Sequence, residues 1–340
     1  MTVDAFFSAE PSVRSSWRLA ILMGANSRTY KFALGDALLE HARHGHAEIP
    51  LSELAVPYAM SLVEHAATAP QAPEGTAIGK TDFLAIAAAE CAEARKLGRP
   101  TDLLLDAAVK SMPAMVMQKF HNLRGGTEVP HRFYEMAGNP RQRIVRLTPQ
   151  LVQVAQSEQA PGLRAELGAR WSIVESSFAA GIGRALIEEG VTVDWATLKL
   201  TDKRRRRPVT GVADALIGFQ HGRCLICDDV LDLADAVAVA VDHVFPYSLM
   251  QRYASVGGWS GPDLDVLWNL APAHETCNST KSDRLPRPHE LERLARRNEA
   301  IMGSPHPLRK TLSIALGRTN RGQQGASWVD FLLEVQKCCS

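Results

Sequence analysis

The sequence contains no run of about 18 consecutive apolar residues, so we expect no membrane-spanning helix. Its first residues, MTVDAFFSAEPSVR, include acidic side chains and a proline and have no apolar core, unlike a secretory signal peptide. We therefore expect a cytoplasmic protein without a membrane partner.

Cysteines are also few, and the net charge is small. Six cysteines in 340 residues are too few for a disulfide scaffold, and a net charge of +1 gives no overall signal for binding a polyanion. No internal repeat or low-complexity tract is evident. What remains is a chain with 46% apolar and 22% charged residues, typical of a globular protein with one large or two ordinary domains.

Helical periodicity dominates the first 200 residues. Apolar side chains recur at helical spacing over 14–67, 80–96 and 101–118, and Pro161 begins a longer predicted helix. The stretch 127–147 differs, because alternating residues around a Gly-Asn-Pro turn predict a β-hairpin.

We therefore predict a mainly α fold in three parts. Residues 1–200 form a helical N-terminal domain with one small hairpin, for recognition or partner binding. Residues 201–303 form a compact domain built around metal ligands, and residues 304–340 form a C-terminal helical extension.

Two pairs of metal-ligand residues lie in the second part, Cys224-x-x-Cys227 and His274-x-x-Cys277. A two-residue spacer lets both side chains of a pair reach one ion from a tight turn or a helix start. The four residues predict a structural Zn²⁺ site, in which a closed ligand set leaves no open position for chemistry. The alternative is a core thiol cluster with His274 at the surface.

A short β-prone run, Val237–Val241, predicts a strand that ends at Asp242-His243. After an irregular loop, the segment Trp268-Asn269-Leu270 predicts a second strand. A helix that begins near Glu275 follows and carries Asn278. We expect Asp242 and Asn278 to face each other across this strand–strand–helix unit.

These side chains suit phosphodiester hydrolysis. A histidine with a near-neutral pKa can deprotonate water, and His243 is in place for that task. Asp242 and Asn278 offer the hard oxygen ligands that a divalent cation prefers. The alternative for His243 is a hydrogen-bonded histidine at a strand end with no chemical role.

A basic run precedes this region just before a helix predicted from Pro208 to about Gln220. Phosphate contact beside the metal ligands is one interpretation of the run. A solvated linker, or a targeting signal in a eukaryotic host, is the other. The run consists of Lys203, Arg204, Arg205, Arg206 and Arg207.

The pattern C-x2-C … DHVFP … WNL … HETCNSTKSD, with its lead-in FQHGRCLIC, resembles the HNH endonucleases of the zinc-containing ββα-metal branch. The resemblance covers roughly residues 203–290. Two positions depart from the usual pattern: Asn278 stands where some members have His, and His274 stands where Cys is usual.

The resemblance implies roles for individual residues. His243 would be the general base, Asp242 and Asn278 would bind a catalytic Mg²⁺ or Mn²⁺, Asn269 would orient the base, and Lys281 would contact phosphate. The expected activity is hydrolysis of double-stranded DNA.

The stretch WRLAILMGANSRTYKFALGDALLEHA resembles the amino-terminal region of HNH proteins from bacterial anti-phage and restriction systems. This implies a role in antiviral defence, with protein partners from the same system. Two other functions stay open from the sequence: a nuclease effector that is silent without a partner or trigger, and a non-catalytic zinc module that binds nucleic acid.

Overall fold

The structure is a computed structural model that divides the chain into two compact units. The N-terminal unit is Phe7–Ala185, and the C-terminal unit is Leu186–Ser340 together with Met1–Phe6. The C-terminal helices therefore belong to the same unit as residues 201–303. The described residues are 3–24, 28–123, 126–139, 142–179, 191–194, 199–202, 208–209, 212–233, 238–250, 261–306, 308–319 and 327–339.

Helices make up most of the first 180 residues, as the periodicity predicts. Side chains that accept a hydrogen bond from the first helical turn begin several of them, for example Asp82, Thr101 and Thr148. The helices are α1 Val3–Ala9, α2 Val13–Arg18, α3 Tyr30–Arg43, α4 Leu51–Ala66, α5 Phe83–Leu97, α6 Asp102–Met115, α7 Pro149–Ala155 and α8 Ala160–Ala179, with a π-helical turn at Leu19–Met23 and a 3₁₀ turn at Met117–Lys119.

A small antiparallel sheet in the N-terminal unit contains the predicted hairpin. Strands β2 (Tyr134–Ala137) and β3 (Ile144–Leu147) pair with Met136 opposite Val145, which confirms the hairpin. Strand β1 (Glu48–Pro50) adds to the other edge of β3, in the order β1-β3-β2. Strand β1 was not predicted, because three residues that end in proline carry almost no periodic signal.

The C-terminal unit has two further small antiparallel sheets. Strands β4 (Val191–Asp194), β5 (Lys199–Asp202) and β6 (Pro208–Val209) form the first, and Leu200 pairs with Val209. The helix predicted from Pro208 therefore begins later, as α9 Val212–Phe219, because pairing with β5 holds Pro208 and Val209 in an extended conformation.

The second sheet and its following helix hold the predicted site residues. Strand β7 (Val239–His243) pairs with β8 (Leu270–His274), and α10 (Glu275–Lys281) follows directly. The remaining helices are α11 Pro288–Gly303, α12 Leu308–Thr319 and α13 Trp328–Cys338. The mainly helical fold with small antiparallel sheets is thus confirmed.

An aromatic core supports the chain just before β8. Trp268 packs edge-on against Phe331 of α13 with ring centroids 5.0 Å apart. Arg297 of α11 is buried there and donates to the carbonyl oxygens of Leu270, at 2.7 Å, and Trp268, at 3.1 Å. Helices α11 and α13 therefore fix the position of β8. No helix in the described ranges has both the length and the apolar character to cross a membrane.

Candidate functional site

The two predicted metal-ligand pairs meet in one cluster. Cys224 and Cys227 lie on the turn after α9, His274 ends β8, and Cys277 lies in the first turn of α10. One ligand atom from each of these residues lies within 4.8 Å of all the others. This Cys₃His cluster could bind a metal such as Zn²⁺.

Distances within the Cys₃His cluster fit a tetrahedral ion. A zinc ion about 2.3 Å from sulfur and about 2.0 Å from nitrogen places its ligand atoms roughly 3.5–3.8 Å apart. The Nδ1 atom of His274 lies 3.3 Å from Cys227 Sγ and 3.8 Å from Cys277 Sγ. His274, the position that departs from the usual pattern, therefore directs a ring nitrogen at the sulfur atoms.

A tight turn brings the first pair of cysteines together. The Asp228 N–H donates to the Cys224 carbonyl at 3.0 Å, and the Cys224 N–H donates to the Asp229 carbonyl at 2.8 Å. Asp228 adopts a φ of 71°, a left-handed conformation that aspartate tolerates better than most residues. Arg293 of α11 donates to the Leu225 carbonyl at 2.8 Å, which holds the turn against that helix.

Hydrogen bonds outside the cluster orient its ligands. The Nε2 atom of His274 lies 3.1 Å from the Val230 carbonyl oxygen, so Nε2 carries the proton and Nδ1 is left as the electron-pair donor. The His274 backbone N–H donates to Cys224 Sγ at 3.4 Å. Both contacts are typical of the groups that support a metal ligand.

The thiols of the cluster need a cation to ionise. Partial burial and the neighbouring sulfur atoms raise the pKa of Cys227 to about 12. They also raise the pKa of Cys277. A divalent cation reverses this effect, because it stabilises the thiolate that coordinates it. The donor set is therefore suited to a metal and poorly suited to free thiolates.

The second site begins at the end of β7, where Asp242 is 5% exposed and lies opposite Ala271. The Lys281 ammonium lies 3.1 Å from both carboxylate oxygens and donates to Oδ1 and to the His243 carbonyl. Oδ2 of Asp242 is buried and has no hydrogen bond. Burial raises the pKa of Asp242, and the Lys281 charge opposes that rise.

His243 is the next residue of β7, and its surroundings differ from those of Asp242. Its Nε2 atom lies 3.1 Å from Asp265 Oδ1, and its side chain remains 23% exposed. The exposed ring of Tyr247 lies beside it, with ring centroids 5.8 Å apart. Asp242 and His243 therefore point to opposite sides of the strand, one into the protein and one toward solvent.

Asn269 is completely buried and acts on the backbone near His243. Its Oδ1 accepts from the Phe245 N–H at 2.8 Å, and its Nδ2 donates to the carbonyls of Phe245, at 2.8 Å, and Leu264, at 2.9 Å. Phe245 lies two residues after His243, and Leu264 immediately precedes Asp265. Asn269 therefore connects the two segments that carry the His243–Asp265 pair.

Asn278 and Lys281 lie three residues apart on α10, which places them on one face of that helix. Lys281 reaches Asp242, so this face of α10 is the one directed at β7. The sequence predicted a phosphate contact for Lys281. Its side chain is 1% exposed and engaged by Asp242, so a direct phosphate contact requires that pairing to open.

The predicted basic run 203–207 lies outside the described residues. Asp265 and Tyr247 were not predicted. Asp265 stands four residues before Asn269, the residue expected to orient the base, and a carboxylate so near Asn269 was a usable signal.

Comparison with known proteins identified no relative. No protein-family model, no curated protein and no solved structure matches this chain.

Proposed function

We propose that this protein is a metal-dependent endonuclease of the HNH type that hydrolyses phosphodiester bonds of double-stranded DNA. One observation carries the proposal: consecutive residues at the end of β7 present a buried carboxylate and a partly exposed imidazole, each with its own charged partner. A strand end with this arrangement supports acid–base chemistry better than a purely structural role.

His243 is the proposed general base. Its imidazole is accessible to water, and Asp265 holds Nε2 at 3.1 Å. A carboxylate at one ring nitrogen fixes the ring orientation and stabilises the imidazolium that forms when the other nitrogen takes a proton. Asn269 contributes by positioning the segments of both residues through the backbone, without touching the ring.

Asp242 and Asn278 are the proposed ligands of a catalytic Mg²⁺ or Mn²⁺. The Asp242 oxygen without a hydrogen bond fits this role, and so does the placement of Asn278 on the face of α10 that is directed at β7. A cation bound there would polarise the phosphate and neutralise charge on the leaving oxygen. Lys281 balances the Asp242 carboxylate in the structure and would be available to phosphate once displaced.

The Cys₃His cluster is the proposed structural zinc site. It joins the turn after α9 to β8 and α10, and α10 also carries Asn278. A closed four-ligand site stabilises the fold without taking part in catalysis. The zinc site would therefore keep β8 and α10 in place for the chemistry at β7.

The setting we propose is bacterial anti-phage defence, with the run 203–207 contacting DNA phosphates. Both points rest on the sequence resemblance and on the basic residues of the run.

The test is incubation of supercoiled plasmid with the protein and Mg²⁺ or Mn²⁺, beside His243→Ala and the exposed control Glu292→Gln. We expect His243→Ala to lose about 10²–10⁴-fold in cleavage rate, as for removal of a general base, and to keep zinc content and melting temperature. Glu292→Gln should cleave at the wild-type rate.

Two results would redirect the proposal. Equal inertness of wild type and His243→Ala, combined with DNA binding, would favour the non-catalytic zinc module. Cleavage that appears only after addition of extract from phage-infected cells would favour the trigger-dependent effector.

A further inference from the structure

The N-terminal unit buries three cationic side chains, of which one pairs with a buried carboxylate. Arg18, Lys31 and Arg170 are 1%, 5% and 1% exposed. The Glu166 carboxylate pairs with Arg18 and accepts from Nε at 2.9 Å and from Nη2 at 2.7 Å. That pair is internally balanced, but it leaves two further cations.

Lys31 and Arg170 have no ion pair within the described part of the chain. Lys31 Nζ reaches the Ala20 carbonyl only at 3.4 Å and lies 5.6 Å from the centre of the Phe120 ring. Arg170 has no hydrogen-bond acceptor at Nε or Nη1, and Arg18 has none at Nη1. Several strong donors in this cluster are therefore buried and unsatisfied.

These groups are neighbours. Arg170 and Glu166 are one turn apart on α8, and burial together with the Arg170 charge lowers the pKa of Lys31 to about 8. Burial alone lowers the pKa of Arg170 to about 9. An isolated charge in such surroundings is strongly destabilising unless an opposite charge accompanies it.

The chain around Lys31 is held in place by contacts on each side. Arg28 pairs with Asp82 at 2.7 Å, and the Thr29 hydroxyl donates to Gln71 Oε1 at 2.5 Å. A Cβ atom at Gly24 would collide with Lys31 Nζ, so the glycine leaves the room that the ammonium occupies. The lysine side chain is thus held in position before any ligand binds.

We propose that Arg18, Lys31 and Arg170 form a binding site for a phosphate monoester group. Such a group carries about −1.5 to −2 charges at neutral pH, which matches the two surplus cations, and its oxygens can accept several charge-assisted hydrogen bonds from these donors. A carboxylate would leave one cation unbalanced. A phosphodiester within a duplex carries one charge and cannot approach groups so deeply buried.

The ligand is therefore a terminal phosphoryl group. A free nucleotide and the 5′-phosphate end of a nucleic acid share this chemistry. This site does not depend on the proposed nuclease function, because its residues belong to the N-terminal unit and its readout is binding.

The experiment titrates the full-length protein, in buffer free of phosphate and sulfate, by calorimetry. The probes are inorganic phosphate, AMP, adenosine, and one oligonucleotide with either a 5′-phosphate or a 5′-hydroxyl, with chloride at equal ionic strength as the salt control. The variants are Lys31→Met and Arg170→Met. The matched control is Arg43→Met, an exposed arginine on α3 with the same change in total charge.

We expect saturable binding of phosphate and AMP, no binding of adenosine, and an affinity about tenfold or more lower in each buried-site variant, as charge-assisted hydrogen bonds are lost. Arg43→Met should bind as wild type does. Tighter binding of AMP would identify nucleotides as the source, and tighter binding of the phosphorylated oligonucleotide would identify nucleic-acid ends.

The titration of wild-type protein decides the matter even if the variants fold poorly. Absence of saturable phosphate binding would overturn the proposal and leave Lys31 and Arg170 as unpaired structural cations. Wild-type affinity in both Lys31→Met and Arg170→Met would overturn it as well.

Discussion

Lys31 in the N-terminal unit and Lys281 in the C-terminal unit are buried to the same degree, 5% and 3% exposed, but their surroundings differ. Lys281 faces the Asp242 carboxylate at 3.1 Å, whereas Lys31 has no ion pair in the described chain and lies near a second cation, Arg170. Burial alone therefore does not indicate what a charged side chain does. The two lysines differ in their partners. A carboxylate balances the charge of Lys281 within the protein, whereas the charge of Lys31 is left for a ligand to balance.

Two histidines also differ in the groups that surround them. His243 of the C-terminal unit has a carboxylate at its ring, and His121 of the N-terminal unit accepts a hydrogen bond from the Phe133 N–H at Nε2. Burial lowers the pKa of His121 to about 4, so it is neutral in the folded protein at physiological pH.

The largest effect should come from Cys227→Ala, which removes one ligand of the Cys₃His cluster. Structural zinc contributes about 10–16 kcal/mol in small domains, comparable to or above the whole stability of a typical unit. We expect loss of bound zinc and loss of amide protection in β7, β8 and α10, while α3 and α4 stay protected. Metal analysis and hydrogen exchange measure both.

The control for this prediction is Cys338→Ala, at an exposed cysteine of the same unit. It should leave zinc and protection unchanged. Unaltered exchange in Cys227→Ala would mean that the cluster is a set of core thiols with no metal.

The direct comparison of the two lysines is Lys281→Met against Lys31→Met. Removing Lys281 leaves the Asp242 carboxylate buried without its partner, which typically costs about 3–5 kcal/mol. Removing Lys31 leaves no carboxylate without a partner, so we expect stability to be unchanged or higher. Urea unfolding measures both values in phosphate-free buffer.

Mg²⁺ sharpens this comparison. If Asp242 is a metal ligand, Mg²⁺ should restore part of the stability of Lys281→Met and leave Lys31→Met unchanged. Similar losses in both variants would contradict the distinction between a paired and an unpaired lysine.

A pH dependence of stability should arise from His121. The unfolded histidine takes up a proton near pH 6.5 and the folded one only near pH 4, so the unfolded state binds more protons in between and stability falls as pH is lowered through that window. The loss should approach roughly 3 kcal/mol by pH 4. Urea unfolding at several pH values measures it.

His121→Gln should remove this contribution and retain an acceptor for the Phe133 N–H. An equally steep acid dependence in the glutamine variant would assign it to other groups.

The smallest effect concerns Asp265, the residue at the His243 ring. Asp265→Asn keeps the size of the side chain and removes the charge that fixes the ring, so we expect a rate about 10–100-fold lower, with DNA binding and melting temperature unchanged. Plasmid cleavage beside Glu292→Gln measures this. A rate equal to that of wild type would show that the ring is oriented by other contacts.

Local patterns were enough to predict several parts of the protein. The helices of the N-terminal unit, the hairpin at 134–147 and the order of two strands and a helix around Asp242 all follow from apolar periodicity and turn residues. The four residues of the Cys₃His cluster followed from spacing, because ligand pairs on tight turns are a local geometric requirement.

Other features depended on segments far apart in the chain. Strand β1 exists because β3 pairs with it, and α9 starts late because β5 pairs with β6. The terminal cysteines illustrate the same limit: no local pattern indicates burial there, but Cys339 is buried and its thiol donates to the Val335 carbonyl.

Spacing along the chain controls both the residue types available for chemistry and the short-range elements, so both could be predicted. The pairing of charges could not be: Lys281 pairs with Asp242, Asp265 pairs with His243, and Lys31 is close enough to Arg170 to be affected by its charge. These pairings join residues from 22 to more than 100 positions apart, and their energy depends on burial and distance, which no local pattern encodes.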